Sequence, residues 1–250
     1  MPSKGLSPSD LRARLAELGI HINLANGRLS YVPGWSPQQF NFRLIYVRHG
    51  ETHGNTLGVF QGDIDGELNQ LNERGERQRL TAAQLLLLKL EAQLRGASAA
   101  ENIAVVLSPL TRAAMTGRAF ISAVKDTYGY DLPVEVERLA TEISFGQWEN
   151  TVAELADPSQ QAQMRLYQAC NALIRPPAGE SFAELVLRQQ QLLNLLEGRY
   201  AGKTVILFAH STTGGSIRVL RHDPTMLDEA NLVNWRGKNF IPHATPIDLF

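Results

Sequence analysis

Three short runs that are apolar at nearly every position constrain this chain more than anything else in it. Residues 44–47, 103–107 and 204–209 are rich in branched aliphatic side chains. A strand that is apolar at every position, not at every second one, has to be covered on both faces, as strands of a parallel sheet are. Between the first two runs Leu80, Ala83, Leu87, Leu90 and Leu94 recur at steps of three and four. After Gly179, Phe182, Leu185, Val186, Leu192, Leu193 and Leu196 form a second such stripe. One-sided stripes of this kind belong to helices lying on a sheet. The expectation is an α/β fold, a mostly parallel sheet flanked by helices on both faces, with ligands bound at the carboxyl ends of its strands.

Residues 1–42 read as a separate small unit attached to a catalytic domain over 43–250. Ser7-Pro8-Ser9-Asp10 places a hydroxyl cap, a first-turn proline and an acid at a helix start. Leu11, Leu15 and Leu18 give that helix its apolar stripe, and Gly19 ends it. Asn26-Gly27 then separates two β-prone stretches, 22–25 and 29–32, which predicts a hairpin with a two-residue turn. Tyr31, Trp35 and Phe40 either line a pocket or pack inside.

Composition removes several function classes. With 24 basic against 25 acidic residues and a net charge of −1, the chain lacks the concentrated basic character that nucleic acid or an anionic membrane surface calls for. An anionic substrate has to be met by local cations. Cys170 is the single cysteine, so no intrachain disulfide and no thiolate metal cluster can form, and it reads as a small core residue. The start of the chain lacks a signal-peptide pattern and the apolar run 85–88 is far too short to span a bilayer. A cytoplasmic protein is expected, with no membrane partner and with a homodimer open.

The residues that can do chemistry gather at the ends of the apolar runs. The first leads into Arg48-His49-Gly50-Glu51-Thr52 and then Asn55. A guanidinium fork matches phosphate oxygens, glycine permits close backbone approach, and histidine can take a phosphoryl group on a ring nitrogen. The second run ends in Ser108-Pro109-Leu110-Thr111-Arg112-Ala113, with Thr116 one turn on. Next comes Thr141-Glu142, followed by Phe145-Gly146-Gln147-Trp148-Glu149. The third run ends in His210-Ser211-Thr212-Thr213-Gly214-Gly215, a helix start rich in hydroxyls and glycine and so an intrinsic anion site.

These four motifs, in this order, resemble the histidine phosphatase superfamily, the phosphoglycerate-mutase-like group, over roughly residues 43–250. The resemblance implies in-line attack on phosphorus by His49, with Arg48, Arg112 and a protonated His210 holding the equatorial oxygens. Asn55 adds a hydrogen bond, and Glu142 protonates the leaving alkoxide and later activates water. Neither metal nor cofactor is implied. Gln61 and Gly62 resemble a substrate-side loop, and Asp65 stands as a reserve proton donor. Two departures accompany the match. Ser211-Thr212-Thr213 intervene before the paired glycines, so that a Ser211 or Thr212 group contacts phosphate, and Asn150 follows Glu149 where the family commonly has glycine. The acidic partner of the related acid phosphatases is absent after His210.

The function expected is hydrolysis of a small phosphorylated metabolite. A phosphoglycerate-type mutase is the alternative, disfavoured by the Phe-Gly…Trp-Glu context of Glu142. A phospho-ligand-binding protein without turnover is a third reading, opposed by the complete set of site residues. His53 is expected in a solvated loop, and His21, His222 and His243 as ordinary surface or packing residues. Trp148 is expected in the core, and residues 241–246 as the last strand. Arg236 and Lys238 stand within reach of the rest of a substrate. Specificity is expected from 57–68, from 150–175 and from the N-terminal unit.

Overall fold

A computed structural model describes residues 5–96 and 98–250. In chain order it comprises α1 (Pro8–Ala16), β1 (Ile20–Ile22), β2 (Leu29–Tyr31), β3 (Arg43–Arg48), α2 (His53–Leu57), α3 (Glu73–Lys89), α4 (Glu91–Leu94) and α5 (Ala99–Asn102). There follow β4 (Ile103–Leu107), α6 (Thr111–Tyr128), β5 (Val134–Val136), α7 (Pro158–Gln168), α8 (Phe182–Tyr200), β6 (Thr204–Ala209), α9 (Ser211–Leu220) and β7 (Ile247–Asp248). The main sheet has the order β5-β4-β6-β3-β7. It is parallel except for β7, which pairs antiparallel with β3.

The three apolar runs become its central strands, and alternate side chains serve two cores. Leu44, Tyr46, Val106, Val205 and Leu207 pack with α8, α9 and the N-terminal residues. Ile45, Val47, Val105, Ile206 and Phe208 pack with α3 and α6. Both faces are covered, and this is why the runs do not alternate. The six apolar positions expected on α8 are all buried there, beneath a Ser181–Glu184 capping box that starts the helix. No helix of the described residues is long and apolar enough to cross a membrane.

Several expectations need correction. The buried face of α3 is Gly75, Ala82, Ala83 and Leu86, while Leu80 is 55% exposed. The helix also breaks at Leu90, so that Leu94 lies in the short α4. Small residues let α3 approach α6 closely, and a run of four leucines allows several stripes to fit equally well. The hairpin turn is longer than two residues: β1 and β2 pair Ile22 with Leu29, and Asn23 continues the closure onto Arg28. The last strand is β7, just beyond residues 241–246. Strand β5 had no sequence signal, since its two valines are exposed on an edge.

Residues 5–42 share the first core cluster with α8 through Leu11, Leu15, Ile20, Ile22 and Leu29. Tyr31 stacks on His222 at 4.5 Å, and Phe40 packs with Phe42 and Phe250. Trp35 lies 43% exposed. None of these aromatic residues lines the cavity described next. Cys170 and Trp148 are core residues, and His53 opens α2 exposed to solvent.

Candidate active site

Register decides where the chemistry sits. Pairing of Arg48 with Ala209 ends β3 and β6 at one level. The next residue on each, His49 and His210, therefore leaves the sheet side by side, with ring centroids 5.3 Å apart. Strand β4 stops beside them, and its Ser108 hydroxyl meets His210 Nε2 at 2.8 Å. A cavity of about 220 Å³ opens here, lined by Arg48, His49, Asn55, Arg112, Glu142 and Ser211 among others. Gln61, Gly62 and Thr212 also line it. His210 does not. It is fully buried behind this layer.

The Nδ1 atom of His49 lies 2.7 Å from the Gly50 carbonyl. A carbonyl only accepts, so Nδ1 carries the proton and Nε2 keeps its lone pair. Burial, then the charges of Arg112, His210, Arg48 and His243, hold this imidazole well below its ordinary pKa. A neutral ring with a bare Nε2 is the form a nucleophile needs. Burial, followed by Arg112, Arg188 and Arg48, likewise lowers His210 well below the ordinary value. The guanidinium groups of Arg48 and Arg112 thus supply positive charge beside it. Its buried Nδ1 has no hydrogen-bond partner among the described residues.

Arg48 and Arg112, both lining the cavity, are held by carbonyls. Arg48 Nη1 donates to Ile241 O at 2.9 Å, and Arg112 donates to Gly62 O at 2.6 Å and Ile64 O at 3.1 Å. Burial lowers the pKa of Arg48 to about 10 and lowers that of Arg112 too, and a guanidinium is basic enough to stay charged in a protein at neutral pH. Carbonyls orient a guanidinium without cancelling its charge, so the field of both stays available to an anion. Gly62 has φ +65°, and a Cβ there would come within 2.1 Å of Glu149. Gly50 is needed for packing: a Cβ would lie 2.6 Å from Gly75 O at the start of α3. Asn55 accepts the Thr52 amide in a capping box, so its NH2 end is the one left for a ligand.

Glu142 reaches the amino end of α9. Its Oε1 accepts from the amides of Ile143 (2.9 Å) and Thr213 (3.1 Å). Among the described residues Oε2 accepts from the Thr212 amide alone, at 3.1 Å. The carboxylate thus fills the anion position of the helix end, and the Thr212 amide is not free for phosphate. The Ser211 hydroxyl, buried and without a partner among the described residues, is the polar group of this turn that remains.

Asp65 is not in the cavity. It caps α6 by accepting the Thr111 amide and hydroxyl at 3.1 and 2.9 Å. Two contributors escaped the sequence reading. Arg188 on α8 donates to the carbonyls of Leu139, Thr141 and Glu142 and pairs with Glu180, clamping the segment that carries Glu142. Its one signal was a charged residue among core positions of a helix. His243, expected as packing, places its ring 5.5 Å from that of His49 and donates through Nδ1 to His49 O at 2.9 Å. No pattern marked it. Among the described residues no group of three or more His, Cys, Asp or Glu could hold a metal ion.

Comparison with known proteins agrees with this geometry. Residues 44–240 match the histidine phosphatase superfamily (branch 1). A mannitol-1-phosphatase from Eimeria tenella is 33% identical over 277 aligned residues, covering 96% of this chain and 85% of that protein. A metal-independent phosphoserine phosphatase from Arabidopsis thaliana is 27% identical over 177 residues, 71% of this chain and 66% of that one. The structure of a mycobacterial glucosyl-3-phosphoglycerate phosphatase in complex with VO3 superposes with a TM-score of 0.59 at 24% identity, covering 82% of this chain and 88% of that one. With its fold, its motifs and these relatives in agreement, the chain belongs to the histidine phosphatase superfamily, as a phosphatase.

Proposed function

We propose that this enzyme dephosphorylates a small polyol phosphate through a phosphohistidine on His49. The observation that carries the chemistry is His49 with its Nδ1 tied to Gly50 O, in one cavity with Arg48, Arg112 and Glu142. The Nε2 lone pair attacks phosphorus while the ester P–O bond breaks. Negative charge spreads over the equatorial oxygens, where Arg48, Arg112, the Asn55 amide and the Ser211 hydroxyl stabilise it. Glu142, protonated in the substrate complex, passes its proton to the departing oxygen and the alcohol leaves. Oε2 is the oxygen for this transfer, since it accepts one amide bond where Oε1 accepts two. The resulting carboxylate then takes a proton from water. The water oxygen bonds phosphorus, the P–N bond breaks, and inorganic phosphate and free His49 return.

The polyol assignment is supported by the mannitol-1-phosphatase relative, whose similarity extends over nearly the whole chain. The absence of a second cysteine fits a reducing, cytoplasmic setting. Phosphate release from mannitol 1-phosphate, phosphoserine and glycerol phosphates tests the assignment. Rapid-quench labelling with 32P-substrate tests the intermediate, which is to be acid-labile, alkali-stable and absent from His49→Ala. Fastest turnover on phosphoserine would refute the polyol reading, and an unlabelled enzyme trapped during turnover would refute the intermediate.

A further inference from the structure

The cavity contains a third guanidinium that the reaction steps do not use. Arg236 lines it together with Gln168 and Phe240. Its Cζ lies 5.4 Å from the Tyr167 ring centroid and 5.3 Å from that of Phe240. Ring faces steady a guanidinium without occupying its N–H groups. Among the described residues no carboxylate, carbonyl or hydroxyl pairs with this side chain. That separates it from Arg48 and Arg112, which rest on backbone carbonyls.

The segment beneath it is braced. The Arg236 amide donates to Asn234 Oδ1 at 2.9 Å, and Asn239 Nδ2 donates to Asn234 O at 2.6 Å. Arg218 Nη1 reaches the Asn239 carbonyl at 2.9 Å, and Arg236 is followed by Gly237 at φ +60° in a tight turn. The same stretch continues into Ile241, whose carbonyl orients Arg48. A fixed donor fork thus stands in the same cavity as Arg48 and Arg112, on chain continuous with the group that holds one of them.

We infer that Arg236 is a specificity-determining residue that receives the hydroxyl groups of the substrate's tail, with Gln168 as donor and acceptor beside it. This rests on the polyol reading above. One feature favours a hydroxylated carbon skeleton for that tail: the rest of the wall includes Val59, Phe60, Phe145 and Phe240, surfaces suited to the C–H faces of such a skeleton. An alditol phosphate offers both an oxygen edge and such a skeleton.

The test compares kcat/KM for mannitol 1-phosphate and for ethyl phosphate, which has no hydroxylated tail, in wild type, Arg236→Met and Arg236→Lys. Met keeps the stacking bulk without donors, and Lys keeps the charge without the fork. Loss of a charged hydrogen-bonding group is expected to lower kcat/KM by about 10- to 100-fold more on mannitol 1-phosphate than on ethyl phosphate. The Lys variant is expected to recover only part of that preference. Equal losses on the two substrates would make Arg236 a structural residue and overturn the inference while leaving the polyol reading intact. Wild-type enzyme with no preference for mannitol 1-phosphate over ethyl phosphate would overturn the polyol reading itself, and this inference with it.

Discussion

Replacement of Arg188 by Met is expected to injure catalysis without touching the cavity. Its guanidinium donates to Leu139 O (2.7 Å), Thr141 O (3.0 Å) and Glu142 O (3.1 Å). Two of these carbonyls keep another donor, since Gln189 Nε2 reaches Leu139 O and the Thr213 hydroxyl reaches Thr141 O. The carbonyl of Glu142 keeps none among the described residues. Beside the lost ion pair with Glu180, the loss at Glu142, the residue proposed as proton donor, is about one charged hydrogen bond and one stranded carbonyl, roughly 2–3 kcal/mol. Small displacements of a reacting group cost up to about a hundredfold in rate. Leaving-group dependence separates this from general damage. An alkyl phosphate needs protonation of its departing oxygen, whereas p-nitrophenolate leaves without it. kcat/KM, which reports the steps up to release of the alcohol, is expected to fall about 10- to 100-fold for Arg188→Met on ethyl phosphate and to stay within about threefold of wild type on p-nitrophenyl phosphate. Glu142→Gln should show the same asymmetry more strongly. A fall of equal size on both substrates would refute the claim that Arg188 acts through Glu142.

Other outcomes follow from the same geometry. Dialysis against EDTA is expected to leave turnover unchanged, and phosphate release that needed added metal would contradict the metal-independent chemistry. Asp65→Ala should cost about 1 kcal/mol in urea unfolding through the lost cap of α6 while retaining the leaving-group dependence of wild type, and loss of that dependence would make Asp65 the acid. Imidazole 15N spectra should show His49 neutral and protonated on Nδ1 at pH 6, because burial and the neighbouring arginines lower its pKa, and an imidazolium signal there would refute it. His49, His210 and His243, the last lowered to about 4, bind fewer protons folded than unfolded, so their contribution to stability is lost as pH falls below about 6.5. Glu149 is raised to about 7 by burial and by Asp63 and acts oppositely, its contribution lost as pH rises through that value. Urea midpoints of Glu149→Gln at pH 5 and 7 should therefore differ more steeply than those of wild type, and a flatter dependence would reverse the assignment.

The site was legible where its residues are chemically rare and sit at strand ends. His49, Arg48 and Arg112 stand at the ends of recognisable apolar runs, Glu142 stands in a loop motif, and the fold brings the four into one cavity. What stayed hidden acts through groups that every residue has. Arg188 and His243 hold backbone carbonyls, and no side-chain pattern advertises a carbonyl. Arg236 was visible as one cation among several, but its want of a partner is a property of the folded chain. The same limit applied to the fold. The four leucines of α3 fit more than one stripe, and only its contact with α6 chooses Ala82, Ala83 and Leu86 for the interior. Strand β5, short and exposed on the sheet edge, carries too little burial to leave a mark.

The position of Glu142 at the amino end of α9 ties the catalytic cycle to the integrity of a helix. While ionised, this carboxylate neutralises the first amides of the turn that follows His210. In the proposed cycle, protonation to serve the leaving group weakens that neutralisation until the proton departs with the alcohol. The phosphohistidine stage then holds carboxylate and phosphoryl group near one helix end together. Enzyme trapped as the phosphohistidine, with Glu142 ionised and the phosphoryl group in place, should be the species in which α9 exchanges its amide hydrogens most slowly. Hydrogen-exchange rates along α9 would then report, residue by residue, which stage of the cycle the enzyme occupies.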